Sequence, residues 1–124
     1  MSGLLVDTHV LLWALDEVES LSPAARDALS DGSVPAYVSA ANIWEISIKR
    51  STGRLTAPDD LLEQIADAFD ELQIGHEHAS LAGALPLHHR DPFDRMLVAQ
   101  AQCEGLTIVT PDGRIRAYDV PVLW

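Results

Sequence analysis

Leu4-Leu5-Val6-Asp7-Thr8-His9-Val10-Leu11-Leu12-Trp13-Ala14 reads as a buried strand that runs straight into a helix. Its first three residues are a continuous apolar run, the pattern of a parallel strand covered on both faces. Asp7 ends the run, and Asp7 or Thr8 can cap a helix that continues through Ala14. Ser22-Pro23 starts a second helix, with Ser as N-cap and Pro in the first helical position; Ala25, Ala28 and Leu29 turn inward, and it closes near Gly32. Ala36-Tyr37-Val38 is the expected second strand. Ser39 caps a helix with Ala40, Ile43 and Ile46 on one face, ending before Gly53.

Thr56-Ala57-Pro58-Asp59 begins a further helix, with Leu62, Ile65, Ala66 and Phe69 as its apolar stripe. Leu72-Gln73-Ile74 is expected as the third strand and residues 76–85 as a short helix. Asp91-Pro92 opens a helix that buries Phe93, Met96, Leu97 and Ala101 and stops at Gly105. Residues 106–109 form the fourth strand, and residues 120–123 the fifth. Strands alternating with helices imply parallel pairing. The expected architecture is α/β, a three-layer α/β/α sandwich with a short, mostly parallel central sheet, in one domain over residues 1–124. No repeat, low-complexity tract or linker interrupts it.

Composition narrows the class. The 124 residues suit one domain, and an apolar fraction of 48% is ordinary for a packed core. Apolar runs are too short to span a bilayer, and Met1-Ser2-Gly3 lacks the basic start of a secretory leader, so a cytoplasmic protein is expected. One cysteine, Cys103, excludes an internal disulfide and suits a reducing compartment. With no His or Lys before it at helical spacing, Cys103 reads as a small core residue rather than a nucleophile.

The net charge is −11, from 19 acidic and 8 basic residues, which by itself argues against a nucleic-acid-binding surface. The distribution qualifies that. Apart from Arg26, the cations fall into two stretches: Lys49, Arg50, Arg54, then Arg90, Arg95, Arg114, Arg116. An acidic chain also suits a basic partner.

The chemistry-bearing pattern is acids at strand ends and in first helical turns. Asp7 follows the first strand, and Asp112 follows the fourth after Thr110-Pro111. Functional groups gather at the carboxyl ends of parallel strands, so two neighbouring strands ending this way bring their carboxylates together. Glu45 lies inside the apolar helix Ala41-Asn42-Ile43-Trp44-Glu45-Ile46-Ser47-Ile48, and Asp94 sits in the first turn of Asp91-Pro92-Phe93-Asp94-Arg95. Converging carboxylates repel and call for a cation, and hard oxygen donors suit Mg²⁺ or Mn²⁺. Zinc-spaced His/Cys sets, a Gly-rich phosphate loop and a G-x-S-x-G elbow are all absent from the sequence. Metal-assisted hydrolysis is what remains.

Each acid also has a purely structural reading: Asp7 as an N-cap, Asp94 as a helix-dipole partner, Asp112 as a turn residue before Gly113, Glu45 as half of a buried pair. Asp91, before Pro92, is assigned to capping. His88 and His89 read as exposed loop residues or phosphate contacts, and His9 is unassigned. Trp13 and Trp44 read as core or subunit-contact residues. Arg95 contacts substrate or pairs with an acid.

Val6-Asp7-Thr8-His9, Ser39-Ala40-Ala41-Asn42-Ile43-Trp44-Glu45, Asp91-Pro92-Phe93-Asp94-Arg95 and Val109-Thr110-Pro111-Asp112 occur in the order found in PIN domains. Over its whole length the chain resembles the toxin ribonucleases of prokaryotic VapBC-type toxin–antitoxin pairs. The resemblance implies a Mg²⁺-dependent endoribonuclease, with Mn²⁺ able to substitute. It carries the acidic set over to Asp7, Glu45, Asp94 and Asp112. Asp7 and Asp94 are then the principal metal ligands, and Glu45 and Asp112 complete the shell directly or through water. Thr8 and Thr110 would orient carboxylates or waters. RNA, a cognate antitoxin, a homodimer and a larger toxin–antitoxin assembly are the implied partners. The rival readings are a catalytically idle metal- or partner-binding module of the same fold, and a phosphatase with Asp7 as nucleophile. The phosphatase commonly needs a second acid two residues on, where this chain has His9.

Overall fold

Strand β1 (Leu4–Val6) is entirely buried, and its three side chains alternate between two apolar cores. Leu4 and Val6 face one core and Leu5 the other, as the two-residue period of a strand requires. In this computed structural model, which describes residues 3–124, β1 is the centre of a five-stranded sheet. The other strands are β2 (Ala36–Ser39), β3 (Asp70–Leu72), β4 (Thr107–Val109) and β5 (Val122–Leu123). Their order is β3-β2-β1-β4-β5, and every pairing is parallel. Met1 and Ser2, which belong to the stretch weighed as a secretory leader, lie outside the described residues.

Helices cover both faces. On the Leu4/Val6 side lie α1 (Thr8–Asp16), α2 (Pro23–Ser30), α3 (Ala40–Ser51) and α4 (Leu61–Ala68), through Val10, Leu11, Ala25, Ile46, Leu61 and Ile65. On the Leu5 side lie α5 (His76–Ala84), through half-buried Leu81 and Ala82, and α6 (Pro92–Glu104), through Leu97, Val98 and Ala101. The expected three-layer α/β/α sandwich is therefore present. Each fully buried Leu or Val contributes about 1.5–3 kcal/mol of transfer free energy, so the β1 triplet anchors both layers.

Local signals fix most helix ends. Ser22 Oγ accepts the Ala25 N–H at 3.1 Å, and Ser39 and Asn42 form a reciprocal capping box at the start of α3. Asp91 accepts the N–H groups of Phe93 and Asp94, so its capping role stands. Gly105, at φ +68°, ends α6 in the left-handed conformation that favours glycine.

Three expectations are corrected. The third strand is Asp70–Leu72 rather than 72–74, because pairing with β2 (Tyr37↔Asp70, Ser39↔Leu72) sets its register and an edge strand tolerates acidic side chains. Residues 56–58 are irregular and Asp59-Asp60 form a turn, and α4 starts only at Leu61. Its buried pair is Leu61 and Ile65, four apart, while Leu62 and Ala66 are exposed one helical step away. Ala40 is likewise exposed, Ala41 taking the buried place at the start of α3. Cys103 is half-buried. Trp13 packs against Trp124, whereas Trp44 is 62% exposed. No helix among the described residues is long and apolar enough to cross a membrane.

Candidate functional site

The strand order reverses at β1: β2 and β3 are added on one side of it, β4 and β5 on the other. The carboxyl ends of β1 and β4 therefore flank the crevice where open α/β sheets place their functional groups. Asp7, immediately after β1, caps α1 by accepting the Val10 N–H on Oδ1 at 2.8 Å. Its other oxygen accepts the hydroxyl of Thr110, just beyond β4. Thr110 Oγ1 in turn accepts the Asp112 N–H at 3.0 Å, so one hydroxyl ties the two strand ends together.

Glu45 comes from α3, where its carboxylate accepts the Thr8 hydroxyl and pairs with Lys49 Nζ at 3.0 Å. Asn42 holds Thr8 from the other side, its amide donating to Oγ1 at 3.1 Å. Asp94 enters from the first turn of α6, where His89 Nε2 lies 2.8 Å from its Oδ2.

Counter-charges divide the four acids into two pairs. Asp112 receives the Arg114 backbone N–H together with two guanidinium bonds at 3.2 and 3.1 Å, which hold its carboxyl below the usual range. Glu45 has Lys49. Among the described residues, no lysine or arginine pairs with Asp7 or Asp94. Burial pushes the Asp7 carboxyl up, against the bonds from Thr110 and Val10, and the charge of Asp112 adds to the rise. Asp94 is pushed up to about 6, first by desolvation, then by Asp91 and Asp7, with His89 opposing. Asp7 thus feels the charge of Asp112, and Asp94 that of Asp7, while Glu45 is tied to the end of β1 by the bond it accepts from Thr8.

Two residues differ from their sequence reading. His88 is exposed, but His89 is buried, with its backbone N–H donating to Tyr118 Oη at 2.9 Å. His89, Asp94 and Asp112 each offer one ligand-type atom, all within 4.8 Å of one another. The hydrogen bonds argue against His89 as a ligand. Its Nδ1 accepts the Arg90 N–H at 3.0 Å, so the neutral ring carries its proton on Nε2 and donates it to Asp94. His89 therefore holds the Asp94 carboxylate in place and keeps no ring lone pair facing it for a cation. The one signal in the sequence was its position two residues before the Asp91 cap.

Arg95 neither pairs with an acid nor projects into the crevice. Its guanidinium donates to the carbonyls of Ala82, Leu85, Pro86 and His89 and to Tyr118 Oη, clamping the α5–α6 connection. His9 is exposed beside Trp13.

The donor set fits a hard divalent cation. It offers carboxylate oxygens, including those of buried Asp7 and half-buried Asp94, which have no lysine or arginine partner among the described residues, and its one histidine has no lone pair to spare on Nε2. An α/β/α sandwich with such an acidic centre at the switch point of its sheet is the architecture of the PIN domain. The PIN domain family model matches residues 4–121, and the chain belongs to this family.

The chain is 31% identical to ribonuclease VapC22 of Mycobacterium tuberculosis (strain ATCC 25618 / H37Rv) over 125 residues, 98% of this chain and 95% of that protein. Its fold matches VapBC2 from Rickettsia felis, solved bound to a DNA fragment from the promoter, with a TM-score of 0.72 at 10% identity, covering 96% of each chain. DNA-bound VapBC from Salmonella typhimurium gives a TM-score of 0.72 at 16% identity, covering 98% of this chain and 97% of that one.

Proposed function

We propose that this protein is a metal-dependent endoribonuclease and the toxin of a type II toxin–antitoxin pair. The observation that carries the reading is the pair Asp7 and Asp94: a buried and a half-buried carboxyl that repel each other, with no lysine or arginine paired to either among the described residues. Two such groups in one crevice need a cation to ionise together. We assign Mg²⁺, with Mn²⁺ able to substitute, to Asp7 and Asp94 as principal ligands, with Glu45 and Asp112 completing the shell directly or through water. The ion, when bound, supplies an acidified water and stabilises charge building on the phosphate.

The chain's own groups do the positioning. Thr110 and the Val10 N–H hold Asp7 from two sides, and His89 fixes the rotamer of Asp94. Thr8 turns one oxygen of Glu45 inward while Lys49 holds the other. Arg114 keeps Asp112 ionised down to low pH.

The partner is a cognate antitoxin. One of its basic side chains would neutralise the crevice near Asp7 and Asp94 and exclude the metal. Its apolar residues would lie in the groove of about 620 Å³ between α3 and α4, where Trp44 and Leu62 stand exposed. The protein works in the cytoplasm, as a homodimer within a larger toxin–antitoxin assembly; a monomer mass in light scattering would remove the dimer. The deciding experiment is cleavage of structured RNA by the purified chain with Mg²⁺ or Mn²⁺, which EDTA should stop. Cleavage indifferent to chelation would sink the metal mechanism, and metal binding without any cleavage would leave an idle module.

A further inference from the structure

The two faces of α3 differ. Trp44 and Ser47 line the apolar groove towards α4, while Glu45 and Lys49 face the other way, into an open cavity of about 540 Å³ beside the start of α6. Arg54, Arg90, Asp91 and Phe93 also line that cavity. Three cations against two acids invert the sign of a chain whose net charge is −11.

The backbone holds these cations there. Gly53, at φ +74°, turns the chain back after α3, and the N–H groups of Arg54 and Leu55 both bond to the Lys49 carbonyl, at 2.8 and 3.2 Å. The Arg90 N–H is fixed on His89 Nδ1 at 3.0 Å. Among the described residues, Arg50 and Arg114 pair with acids and Arg95 is committed to carbonyls, whereas Arg54 and Arg90 make no ion pair. Their charge is available. Phe93 supplies an aromatic ring, braced edge-on by Trp44 with centroids 5.3 Å apart. The cavity adjoins the acidic centre directly, because Glu45 forms part of its wall and Asp91 caps the helix that carries Asp94.

Free guanidinium groups beside a half-buried aromatic ring make the combination that holds single-stranded nucleic acid, cations on phosphate and the ring against a base. We infer that this cavity is the subsite for the nucleotides flanking the scissile phosphate, with Arg54 and Arg90 taking backbone phosphate and Phe93 stacking a base. The inference rests on the ribonuclease reading and adds the route of the strand: from the crevice, past Glu45, across the start of α6. It also answers the objection that so acidic a chain cannot bind RNA, because the cations are concentrated where the strand leaves the carboxylates.

The test compares wild type with the Arg54→Ala/Arg90→Ala double variant, Phe93→Leu, and Arg26→Ala as a control that removes a cation on α2. Two measurements are made: kcat/KM for RNA cleavage at several salt concentrations, and anisotropy of a fluorescein-labelled single-stranded RNA of mixed sequence. The double variant should lose about tenfold in kcat/KM, through KM, and its salt slope should fall by about 1.4, two single-strand phosphate contacts at about 0.7 each. Phe93→Leu should raise KM about tenfold and leave the salt slope as it was, because stacking is not electrostatic. Arg54→Lys/Arg90→Lys should restore the slope, which excludes misfolding as the cause, and Arg26→Ala should match wild type. An unchanged KM and slope in the double variant would overturn the subsite. If wild type cleaves no RNA, the ribonuclease reading fails, and anisotropy still decides the subsite: weakened RNA binding in the double variant supports it, and equal binding refutes it.

Discussion

Asp94→Asn should stabilise the metal-free protein while destroying its activity. The unfolded carboxyl ionises near 3.8 and the folded one near 6, so at neutral pH the native state carries a charge that it disfavours. At about 1.4 kcal/mol per pH unit, the penalty has a ceiling of about 3 kcal/mol. The Asp94 side chain is 20% exposed and coupled to its neighbours, which lowers the realised figure. Losing a carboxylate from the first turn of α6 also gives up about 0.3–1 kcal/mol of helix-dipole attraction. A net gain of about 1–2 kcal/mol is expected, roughly 4–8 °C in Tm for a chain of this size. Asn keeps an oxygen for the His89 Nε2–H, so that bond survives.

The sign fixes the pH window. A raised folded pKa means that stability is intact below 3.8 and lost as pH climbs through about 6. The variant's advantage should therefore be absent at pH 3.5, grow through pH 4–6 and be complete at pH 7.5. Thermal melts in EDTA read this directly. Added Mg²⁺ should raise the wild-type Tm and leave the variant's unchanged, about 2.7 kcal/mol being available at a hundredfold excess over Kd. A variant less stable than wild type at pH 7.5 in EDTA, or an advantage equal at pH 3.5 and 7.5, would show that the charge of Asp94 is not what the native state disfavours.

Asp91→Asn, by contrast, should keep activity within a few fold, because Asn caps as well as Asp, while Asp91→Ala should lose about 1 kcal/mol in denaturant unfolding. His89→Ala should weaken Mn²⁺ binding in calorimetry by about 10–100-fold, and His89→Gln, whose amide can still donate to Asp94, should recover part of it; a tighter-binding Ala variant would exclude the positioning role. Arg95→Ala should destabilise the fold by about 2–4 kcal/mol and open residues 85–90 to hydrogen exchange, and Lys should not rescue it, since an ammonium cannot span the same acceptors.

Much of the fold is written locally in the chain. The apolar run Leu4-Leu5-Val6, the Ser22-Pro23 and Asp91-Pro92 starts, the Ser39 cap and the Gly105 stop each act within a few residues, so periodicity and capping chemistry are enough to read them. Asp7, Glu45, Asp94 and Asp112 could be picked out because each sits at a strand end or in a distinctive helix. The register of β3 and the phase of α4 were not legible, since pairing with β2 and the irregular stretch before Leu61 set them against the apolar pattern. Nor could the sequence tell which acids have a cation. Asp112 with Arg114 and Glu45 with Lys49 depend on how side chains are aimed, and the want of a partner at Asp7 and Asp94 depends on the whole crevice. His89 is buried because its loop folds beneath Tyr118, 29 residues on, and Arg95 became a clamp because four carbonyls converge on it. Composition and period specify what a segment can be; burial and counter-charge come from residues distant in the chain, and only the folded molecule brings them together.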